Sequence, residues 1–387
     1  MREVPFGRPV IGDEERAAVM KVLEGHILTH GPKVKEFEAD FAKFTGAPRA
    51  LALSSATAGL HLAYFHLGIG AGDEVVVPAQ THVATAHAVE FVGAKPVFID
   101  AVPETGNIDL DALEAVVNEN TKALSVVHYL GRPVDMERLS AFAERKGLFL
   151  VEDCALSIGS TINGKHTGLF GDIGTFSFYP VKHITTAEGG ALIGKDLKAI
   201  ERISRLRAFG IDRNIVAERK IPGEYDVQDL GFNYRMNELS AAIGVGQIKR
   251  LPGILSRRKE NFETLCKGLQ EIEELDVLQA EPVANGTSSY YCLVAVLKSP
   301  ATEKRAEIMA ALKAAGVGTS IYYPKPVPHM TYYQKKYGFN DGTFPAAARI
   351  SGQGIALPVG PHLGLEDMHY IVEQVKHALA GVLQQAV

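Results

Sequence analysis

Short apolar runs alternate with amphipathic stretches through the first half of the chain. The runs have the length and composition of buried strands and lie at Ala50–Leu53, Glu74–Val77, Pro96–Ile99, Ala123–Val127 and Phe149–Val151. The stretches between them have helical spacing and lie at Thr57–Leu67, Thr81–Val92, Leu110–Asn118 and Met136–Lys146. Strands that alternate with helices predict a mainly parallel sheet covered on both faces, and such sheets bind ligands at the carboxyl ends of their strands.

The chain continues with two more strands and then a second structural unit. The strands are predicted in TFSFYP and in ITTAEGGALI, with a loop between them. Further helices are predicted at Asp13–Glu24, with Asp13 as its N-cap, and at Lys33–Phe44, Leu197–Ala208 and Asn237–Leu251. We therefore predict an α/β fold with a large domain over residues 1–251 and a smaller C-terminal α+β domain over 252–387.

The charge and the cysteines exclude several classes of protein. A net charge of −5 over 387 residues, with no Lys/Arg-rich run, gives no electrostatic basis for binding nucleic acid or an anionic membrane. No apolar stretch reaches the roughly 20 residues needed to span a bilayer, and the N-terminus lacks the apolar core of a secretion signal. Cys154, Cys266 and Cys292 are dispersed and offer no metal-binding pair and no disulfide framework. We expect a protein of the reducing cytoplasm.

Two charged residues stand in unusual positions. Asp153 ends the apolar run LFLVEDCA, where a carboxylate is costly unless it is paired or hydrogen-bonded. It could face a protonated ring nitrogen, although an exposed strand end or an N-cap explains it equally well. Lys182 follows an aromatic strand and precedes a Gly-Gly turn in SFYPVKHITTAEGG. A lone lysine is usually a solvated surface charge, but in a partly desolvated site its amine would have a lowered pKa and would suit Schiff-base formation.

Other polar groups follow the predicted strands. The segment SSATAGLH, from Ser54 to His61, joins a strand to a helix, and its backbone N–H groups and hydroxyls could hold a phosphate. Simple helix capping is the commoner role of such residues. His82 lies just after the strand EVVVPA, where a flat ring could stack on a planar cofactor. The five-residue spacing of His82–His87 and of His61–His66 does not suit a metal, and we expect no metal site.

Taken together, these segments resemble the DegT/DnrJ/EryC1/StrS family of sugar-nucleotide aminotransferases, which depend on pyridoxal phosphate (PLP). The resemblance runs from about Pro5 to the last helix. Its markers are ILTHGPKVKEFE, SSATAGLHLA, GDEVVVPAQTHVATA, GAKPVFID, LVEDCA, FSFYPVKHITTAEGGAL, LGFNYRMNELSAA and ALPVGPHLGLED. The lysine motif with its TTAEGG tail is the most specific of them. The resemblance implies the fold type I architecture of PLP enzymes.

The resemblance assigns the central roles of the reaction. Lys182 would hold the cofactor as a Schiff base and then move the proton between the substrate carbon and the cofactor. Asp153 would pair with the pyridine nitrogen and keep it protonated. His82 occupies the place where many members carry Phe or Trp stacked on the ring. Pyridoxamine phosphate would be the intermediate form of the cofactor.

The resemblance also assigns a phosphate site and an assembly. Ala56 and Thr57 match the turn whose amides and hydroxyl hold the phosphate, and Ser177 matches the serine that joins them. Asn233, in GFNYR, matches an asparagine that the neighbouring subunit contributes. Members of the family are homodimers with active sites at the interface, and this chain is expected to be one.

Leu156 departs from the family pattern, and His183 bears on the choice between the transferase and dehydratase branches. Relatives usually carry Gln or His three residues after the aspartate, to contact the phenolic oxygen of the cofactor, and this chain has Leu156 there. Ser157 or a water is expected to replace that contact. A dehydratase branch of the family replaces the catalytic lysine with histidine. Here the lysine position holds Lys182 and His183 follows it, which favours amine transfer.

The resemblance implies a nucleotide-linked keto-6-deoxy sugar as the amine acceptor, preferably aminated at C4, and L-glutamate as the donor. A role in amino-sugar, O-antigen, lipopolysaccharide or other surface-glycan synthesis follows. Thr29, Tyr322 and Tyr323 lie in segments that are expected to contact the substrate. A PLP-dependent sugar 3-dehydratase and a non-catalytic regulator with a PLP fold remain as alternatives.

Overall fold

The computed structural model describes residues 2–211, 224–278 and 283–384. Within these residues the α-helices are α1 Asp13–Leu23, α2 Pro32–Thr45, α3 Ala56–His66, α4 Val83–Phe91, α5 Leu113–Val116, α6 Met136–Lys146, α7 Leu197–Leu206, α8 Glu238–Leu269, α9 Arg305–Ala314, α10 Thr331–Tyr337, α11 Pro345–Gln353 and α12 Leu365–Gln384. None of these helices combines the length and the apolar character that crossing a membrane requires.

The strands follow the predicted order along the chain. They are β1 Ala50–Leu53, β2 Glu74–Pro78, β3 Lys95–Ile99, β4 Thr121–Val127, β5 Phe149–Asp153, β6 Thr161–Ile162, β7 Lys165–His166, β8 Ile173–Ser177, β9 Gly190–Gly194, β10 Leu275–Val277, β11 Gly286–Thr287, β12 Leu293–Leu297 and β13 Gly354–Leu357. Each of the first five predicted strands is present within two residues of its predicted bounds.

Among the described residues, seven strands form the central sheet in the order β1-β9-β8-β5-β4-β2-β3. All neighbours pair in parallel except β9, which runs antiparallel to β1 and β8. The mainly parallel sheet predicted from the alternating pattern is therefore confirmed. Because β1, β2, β4, β5 and β8 point the same way, their carboxyl ends meet at one edge of the sheet. The antiparallel sheet β10-β12-β13 belongs to the C-terminal part of the chain.

The helix bounds correct two predictions near the chain start. Asp13 is not the N-cap of α1, because Gly12 holds that position and its backbone N–H donates to the Glu15 carboxylate at 2.8 Å. The predicted helix at Leu110–Asn118 is shorter, with one 3₁₀ turn followed by the four-residue α5. In both cases local hydrogen bonding moves the boundary of an element whose existence the periodicity indicates.

Helix α8 is the largest departure from the predicted organisation. It runs unbroken through Pro252 for 32 residues, so the predicted helix end at Leu251 is wrong. A proline inside a helix removes one backbone hydrogen bond, at a cost of about 3 kcal/mol. Buried residues on both sides, among them Leu251 and Ile254, supply packing that offsets this cost. The division into 1–251 and 252–387 stays a prediction, and α8 extends on both sides of it.

The first residues of the chain pack in the C-terminal part. Val4 is fully buried in the same apolar core as Leu293 and Met368. Its N–H donates to the Gly316 carbonyl at 2.9 Å, and its carbonyl accepts from the Gly318 N–H at 2.8 Å. The chain then passes Phe6–Val10 on its way to α1 in the large part. Both ends of the sequence therefore contribute to the smaller core.

A buried carboxylate holds the centre of the sheet together. Glu152 of β5 is fully buried, and its Oε1 accepts from the N–H groups of Phe170 at 2.8 Å and Gly171 at 2.6 Å. Its Oε2 accepts from the Gly168 N–H at 2.7 Å and from His128 Nε2 at 3.1 Å. Glu152 therefore ties the loop before β8 to two neighbouring strands of the sheet.

Cys154 lies near Glu152 and His128, and the three residues could in principle hold a metal ion. The Glu152 oxygens already accept four hydrogen bonds, so we interpret the group as a hydrogen-bond network. Burial raises the pKa of Glu152, but the hydrogen bonds from His128 and the backbone outweigh burial, and the pKa lies below its ordinary value.

Glu152→Gln is expected to lower the free energy of unfolding at pH 7 by about 1.5–3 kcal/mol, because charge-assisted hydrogen bonds are lost. A carboxylate whose pKa is lowered in the folded state stabilises it fully above the unfolded value of about 4.3. That contribution disappears as the pH falls through the folded value. The difference between wild type and variant in urea unfolding should therefore narrow below about pH 4.3.

Glu144→Gln, on the exposed face of α6, is the matched control and should change little. A difference between wild type and Glu152→Gln that stays constant across this pH range would contradict the role given to the Glu152 charge.

Candidate active site

A cavity of about 260 Å3 opens at the carboxyl edge of the central sheet. Its walls come from the segments that follow β1, β2, β5 and β8, together with one residue from the C-terminal part of the chain. The predicted site residues that line it are Ala56, Thr57, His82, Asp153, Ser177, Lys182 and Tyr323. Most of these side chains therefore meet at the edge of the sheet where parallel α/β proteins bind their ligands.

Asp153 is the last residue of β5 and is 5% exposed. The Thr85 hydroxyl of α4 donates to its Oδ2 at 2.8 Å, and the Ala155 N–H donates to its Oδ1 at 3.0 Å. These two donors keep the carboxylate in one orientation beside the cavity. Each oxygen retains further capacity to accept, so Asp153 can receive a proton donor from a ligand.

Lys182 lies in the loop between β8 and β9 and lines the same cavity as Asp153. Burial lowers its pKa to about 8, and the charge of Asp153 offsets part of that shift. A lysine with this pKa is partly unprotonated near neutral pH, which is the form that attacks a carbonyl carbon. The predicted desolvation of Lys182 is consistent with its position.

The Lys182 loop is held by its own backbone. The Lys182 N–H donates to the Tyr179 carbonyl at 2.9 Å, and the Thr186 N–H donates to the Phe178 carbonyl at 3.0 Å. Ala187 adopts a left-handed conformation with φ of 66°, and its N–H donates to the Thr185 hydroxyl at 3.0 Å. A tight loop of this kind presents one side chain to the cavity with little freedom.

The start of α3 has the features of an anion site. Ser55 caps the helix, accepting from the Ala58 N–H at 3.1 Å, and Ala56 and Thr57 follow in the first turn. A Cβ on Gly190 of β9 would lie 2.3 Å from the Ser55 carbonyl carbon, so only glycine permits this approach. The free N–H groups at the start of α3 lie with Ser177 in the cavity wall, and together they suit a phosphate.

His82 forms part of the cavity rim. It caps α4, with its Nδ1 accepting from the Ala84 N–H at 3.2 Å, and its ring centroid lies 5.7 Å from that of Tyr323. Burial and the Lys182 charge lower the pKa of His82, so its imidazole is neutral near pH 7. A neutral flat ring is the form that stacking on a planar cofactor requires.

Three of the predicted site residues do not line this cavity within the described part of the chain. Asn233 is exposed, and its Oδ1 accepts from Arg235 Nε at 2.9 Å. Thr29 is exposed and forms an isolated bridge with Asn237. Tyr322 adjoins the lining residue Tyr323 and shares a 2.6 Å hydrogen bond with the Tyr291 hydroxyl. Their ligand contacts stay predictions.

The structure does not support the prediction that Ser157 replaces the cofactor contact of the missing Gln or His. Leu156 lines the cavity, as its place in the sequence predicts. Ser157 is fully buried, and its hydroxyl shares a 3.0 Å hydrogen bond with the Thr167 hydroxyl. The two residues follow β5 in a turn, in which the Ser157 N–H donates to the Cys154 carbonyl at 3.0 Å.

His183 is directed away from the cavity that contains Asp153. Its Nε2 donates to the Ser289 carbonyl at 2.9 Å, and the residue is buried. Of the adjacent pair, only Lys182 is among the lining residues. The structure therefore brings together the lysine and the aspartate that are predicted to take part in the reaction.

Sequence reasoning missed several residues of the site. Thr85 orients Asp153, and Glu188, Tyr179 and Thr81 line the cavity. A signal for Thr85 existed in QTHVAT, because Thr81 and Thr85 are four apart and their hydroxyls lie 2.8 Å apart. Glu188 and Tyr179 both lie within the lysine motif FSFYPVKHITTAEGGAL, which is the signal that could have identified them.

The chemistry of these groups fits pyridoxal phosphate. Asp153 can receive the protonated ring nitrogen, Lys182 offers the amine, and the start of α3 with Ser177 offers a phosphate site. A buried carboxylate, a desolvated amine and an anion site within one cavity form a donor set that matches the three polar ends of this cofactor.

Comparison with known proteins gives a consistent result. Residues 9–376 match the DegT/DnrJ/EryC1/StrS aminotransferase family. The spore coat polysaccharide biosynthesis protein SpsC of Bacillus subtilis is 35% identical, with 98% of this chain and 97% of that protein covered. GDP-perosamine synthase of Escherichia coli O157:H7 is 33% identical, with 97% and 98% covered.

Solved structures agree with the sequence comparison. The putative sugar aminotransferase Spr1654 from Streptococcus pneumoniae, in its PMP form, superimposes with a TM-score of 0.92 at 30% identity over the whole of both chains. The same protein also has a PLP form, with a TM-score of 0.91. The chain therefore belongs to the DegT/DnrJ/EryC1/StrS aminotransferase family and is a pyridoxal-phosphate-dependent aminotransferase.

Proposed function

We propose that this aminotransferase moves an amino group from L-glutamate to a nucleotide-linked keto-6-deoxy sugar, at C4 in preference to C3. The observation that carries the amine transfer is the presence of Lys182 and Asp153 in one cavity at the carboxyl edge of the sheet. The names of SpsC and GDP-perosamine synthase support a sugar substrate and a place in glycan synthesis. The TTAEGG form of the lysine motif supports C4. Assembly of O-antigen, lipopolysaccharide or another surface glycan is the proposed use.

When bound, pyridoxal phosphate supplies a ring that delocalises negative charge from the substrate carbon. The residues of this chain perform the remaining tasks. Asp153, oriented by Thr85, holds a proton at the ring nitrogen. Lys182 moves a proton to or from the substrate carbon, a task that suits its pKa of about 8. Ser177 and the start of α3 bind the phosphate, and His82 and Tyr323 exclude water at the rim.

A sugar 3-dehydratase is disfavoured by the position of His183. A histidine in place of the lysine is the feature that marks that branch, whereas here the His183 ring is hydrogen-bonded to Ser289 outside the cavity. A non-catalytic regulator is disfavoured because Lys182 and Asp153 are both present and both line the cavity. Amine transfer therefore remains the function that the geometry supports best.

We also expect a homodimer in the cytoplasm. Asn233 lies outside the cavity of its own chain, as expected of a residue that acts on a neighbouring subunit's site, and Thr29 also lies outside it. Large apolar side chains are exposed in the same segments, including Leu28 at 48% and Leu230 at 73%. Burial of such side chains against a second copy would remove them from water. The described cysteines are free thiols, which supports a reducing compartment.

Light scattering on the holoenzyme should give twice the mass of one chain. Leu230→Glu, at the most exposed of these apolar positions, should shift the protein towards the monomer because burying its charge is costly. Lys198→Glu on α7 is the surface control. A monomeric wild type would contradict the dimer and the role of Asn233.

Lys182→Ala should be purified without the visible absorption of a pyridoxal group bonded to lysine, since no other lysine lines the described cavity. The rate of single-turnover conversion with L-glutamate should fall by at least about 10³-fold, because the variant lacks both the general acid–base and the nucleophile. Lys198→Ala should keep both the absorption and the conversion. An unchanged absorption band in Lys182→Ala would mean that a different lysine carries the cofactor.

The decisive test of the proposed function is an amine-transfer screen. The holoenzyme and L-glutamate are mixed with UDP-, dTDP- and GDP-linked 3-keto and 4-keto 6-deoxy sugars, and products are identified by mass spectrometry. We expect an aminated sugar from at least one 4-keto substrate. Release of a deoxy-sugar without an aminated product from the pyridoxamine form would refute amine transfer in favour of dehydration.

A further inference from the structure

A second, smaller cavity lies on the other side of the Lys182 loop. It is enclosed by the N-terminal segment Phe6–Val10, the loop that carries Lys182, helix α8 and Tyr291. Lys182 lines both cavities, so one residue borders the two spaces. A group bound in the smaller cavity would therefore lie next to the residue that carries the reacting amine.

The smaller cavity is basic. Its lining includes Arg8, Lys182 and Arg258, and no aspartate or glutamate is among its described residues. Burial lowers the pKa of Arg258 to about 10, so the guanidinium remains charged at neutral pH. Burial also lowers the pKa of His183 well below its usual range, so this ring adds no charge. The positive charges of the arginines and the lysine therefore determine the sign of the potential in this cavity and favour an anionic ligand.

Arg258 has one edge of its guanidinium unused. Its Nη1 donates to the Tyr291 carbonyl at 2.7 Å, while its Nε is buried without a partner among the described residues. No described residue forms a salt bridge or a hydrogen bond with its Nη2 either. Nε and Nη2 together form the side-on fork that binds the two oxygens of a carboxylate. A buried charged donor without an acceptor is costly, which indicates a missing ligand.

Tyr291 connects this arginine to the reacting amine. The Lys182 Nζ lies 5.4 Å and the Arg258 Cζ lies 5.9 Å from the centroid of the Tyr291 ring. The two cations therefore share one aromatic neighbour. An α-amino acid carries its carboxylate carbon two bonds from its nitrogen, so a donor that reacts at Lys182 presents its carboxylate near the reacting amine.

The size of the cavity selects among anions. Its volume is about 20 Å3, which admits one water-sized group. A flat carboxylate needs less space than a tetrahedral phosphate, and its carbon chain could stay in the larger cavity.

We propose that Arg258 binds the carboxylate of the amino-acid donor through its Nε and Nη2, with the narrow cavity behind Lys182 as the carboxylate site. This inference rests on the proposed function only in requiring an amino-acid donor. It assigns donor recognition to α8 and to the N-terminal segment, whereas the sugar nucleotide would enter from the open side of the larger cavity.

The test uses the holoenzyme and two measurements that require no sugar. Calorimetry measures the Kd for glutarate, which has carboxylates but no amine, and single-turnover spectroscopy measures the concentration of L-glutamate that half-saturates conversion. In Arg258→Gln and Arg258→Lys both values should rise by about 10- to 100-fold, as expected for loss of a charge-assisted fork. The lysine variant keeps a charge but not the fork.

Arg257→Gln is the matched control, because Arg257 is adjacent and pairs with Glu260 on the exposed side of α8. It should leave both values unchanged, and inorganic phosphate should not compete with glutarate in the wild type. Retained visible absorption in Arg258→Lys verifies that the variant is folded and loaded.

Several outcomes would overturn the assignment. The first is a Kd for glutarate and a half-saturating L-glutamate concentration in Arg258→Lys that equal those of the wild type. The second is an Arg258 variant whose saturated rate falls while its half-saturating concentration stays the same. The third is a wild-type enzyme that does not bind glutarate, and it too would overturn the assignment. A lower saturated rate with an unchanged half-saturating concentration would mean that Arg258 acts only by supporting Tyr291. Failure of the sugar screen would leave these results standing, because neither measurement involves the acceptor.

Discussion

The fold and the candidate site of this molecule both depend on two neighbouring carboxylates of one central strand. Glu152 and Asp153 point to opposite sides of β5, since side chains alternate along a strand. Glu152 accepts four hydrogen bonds and fixes the loop that leads into β8. Asp153 is thereby presented at the end of a rigid strand, where Thr85 sets its orientation. Structural and chemical roles are divided between adjacent residues, so neither charge has to serve both.

The active site is built by topology more than by any single loop. Parallel strands bring Asp153, Ser177 and the start of α3 to one edge, and the close approach of Gly190 to Ser55 joins the phosphate site to the Lys182 loop. Tyr323 then covers this edge from the other part of the chain. The rim is therefore made by two parts of the molecule whose relative position decides whether the residues meet.

The sheet was predictable because it depends on local pattern, whereas most of the cavity residues were predicted from the family resemblance of their motifs. Apolar runs marked the strands, and the lysine and aspartate motifs marked the reacting groups. The end of α8 was not predictable, because the packing of Leu251 and Ile254 outweighs the local effect of Pro252. The Glu152 network and the free edge of Arg258 depend on partners distant in sequence. Spacing within one segment does not indicate such contacts.

The placement of Val4 has a consequence for how the protein folds. Its bridge partner Val317 is separated from it by most of the sequence. The smaller core joins Val4 to residues of β12, β13 and α12. Contacts of such long sequence separation form late and slowly. Because Phe6–Val10 also line the cavity beside Lys182, that cavity is complete only when this long-range contact has formed.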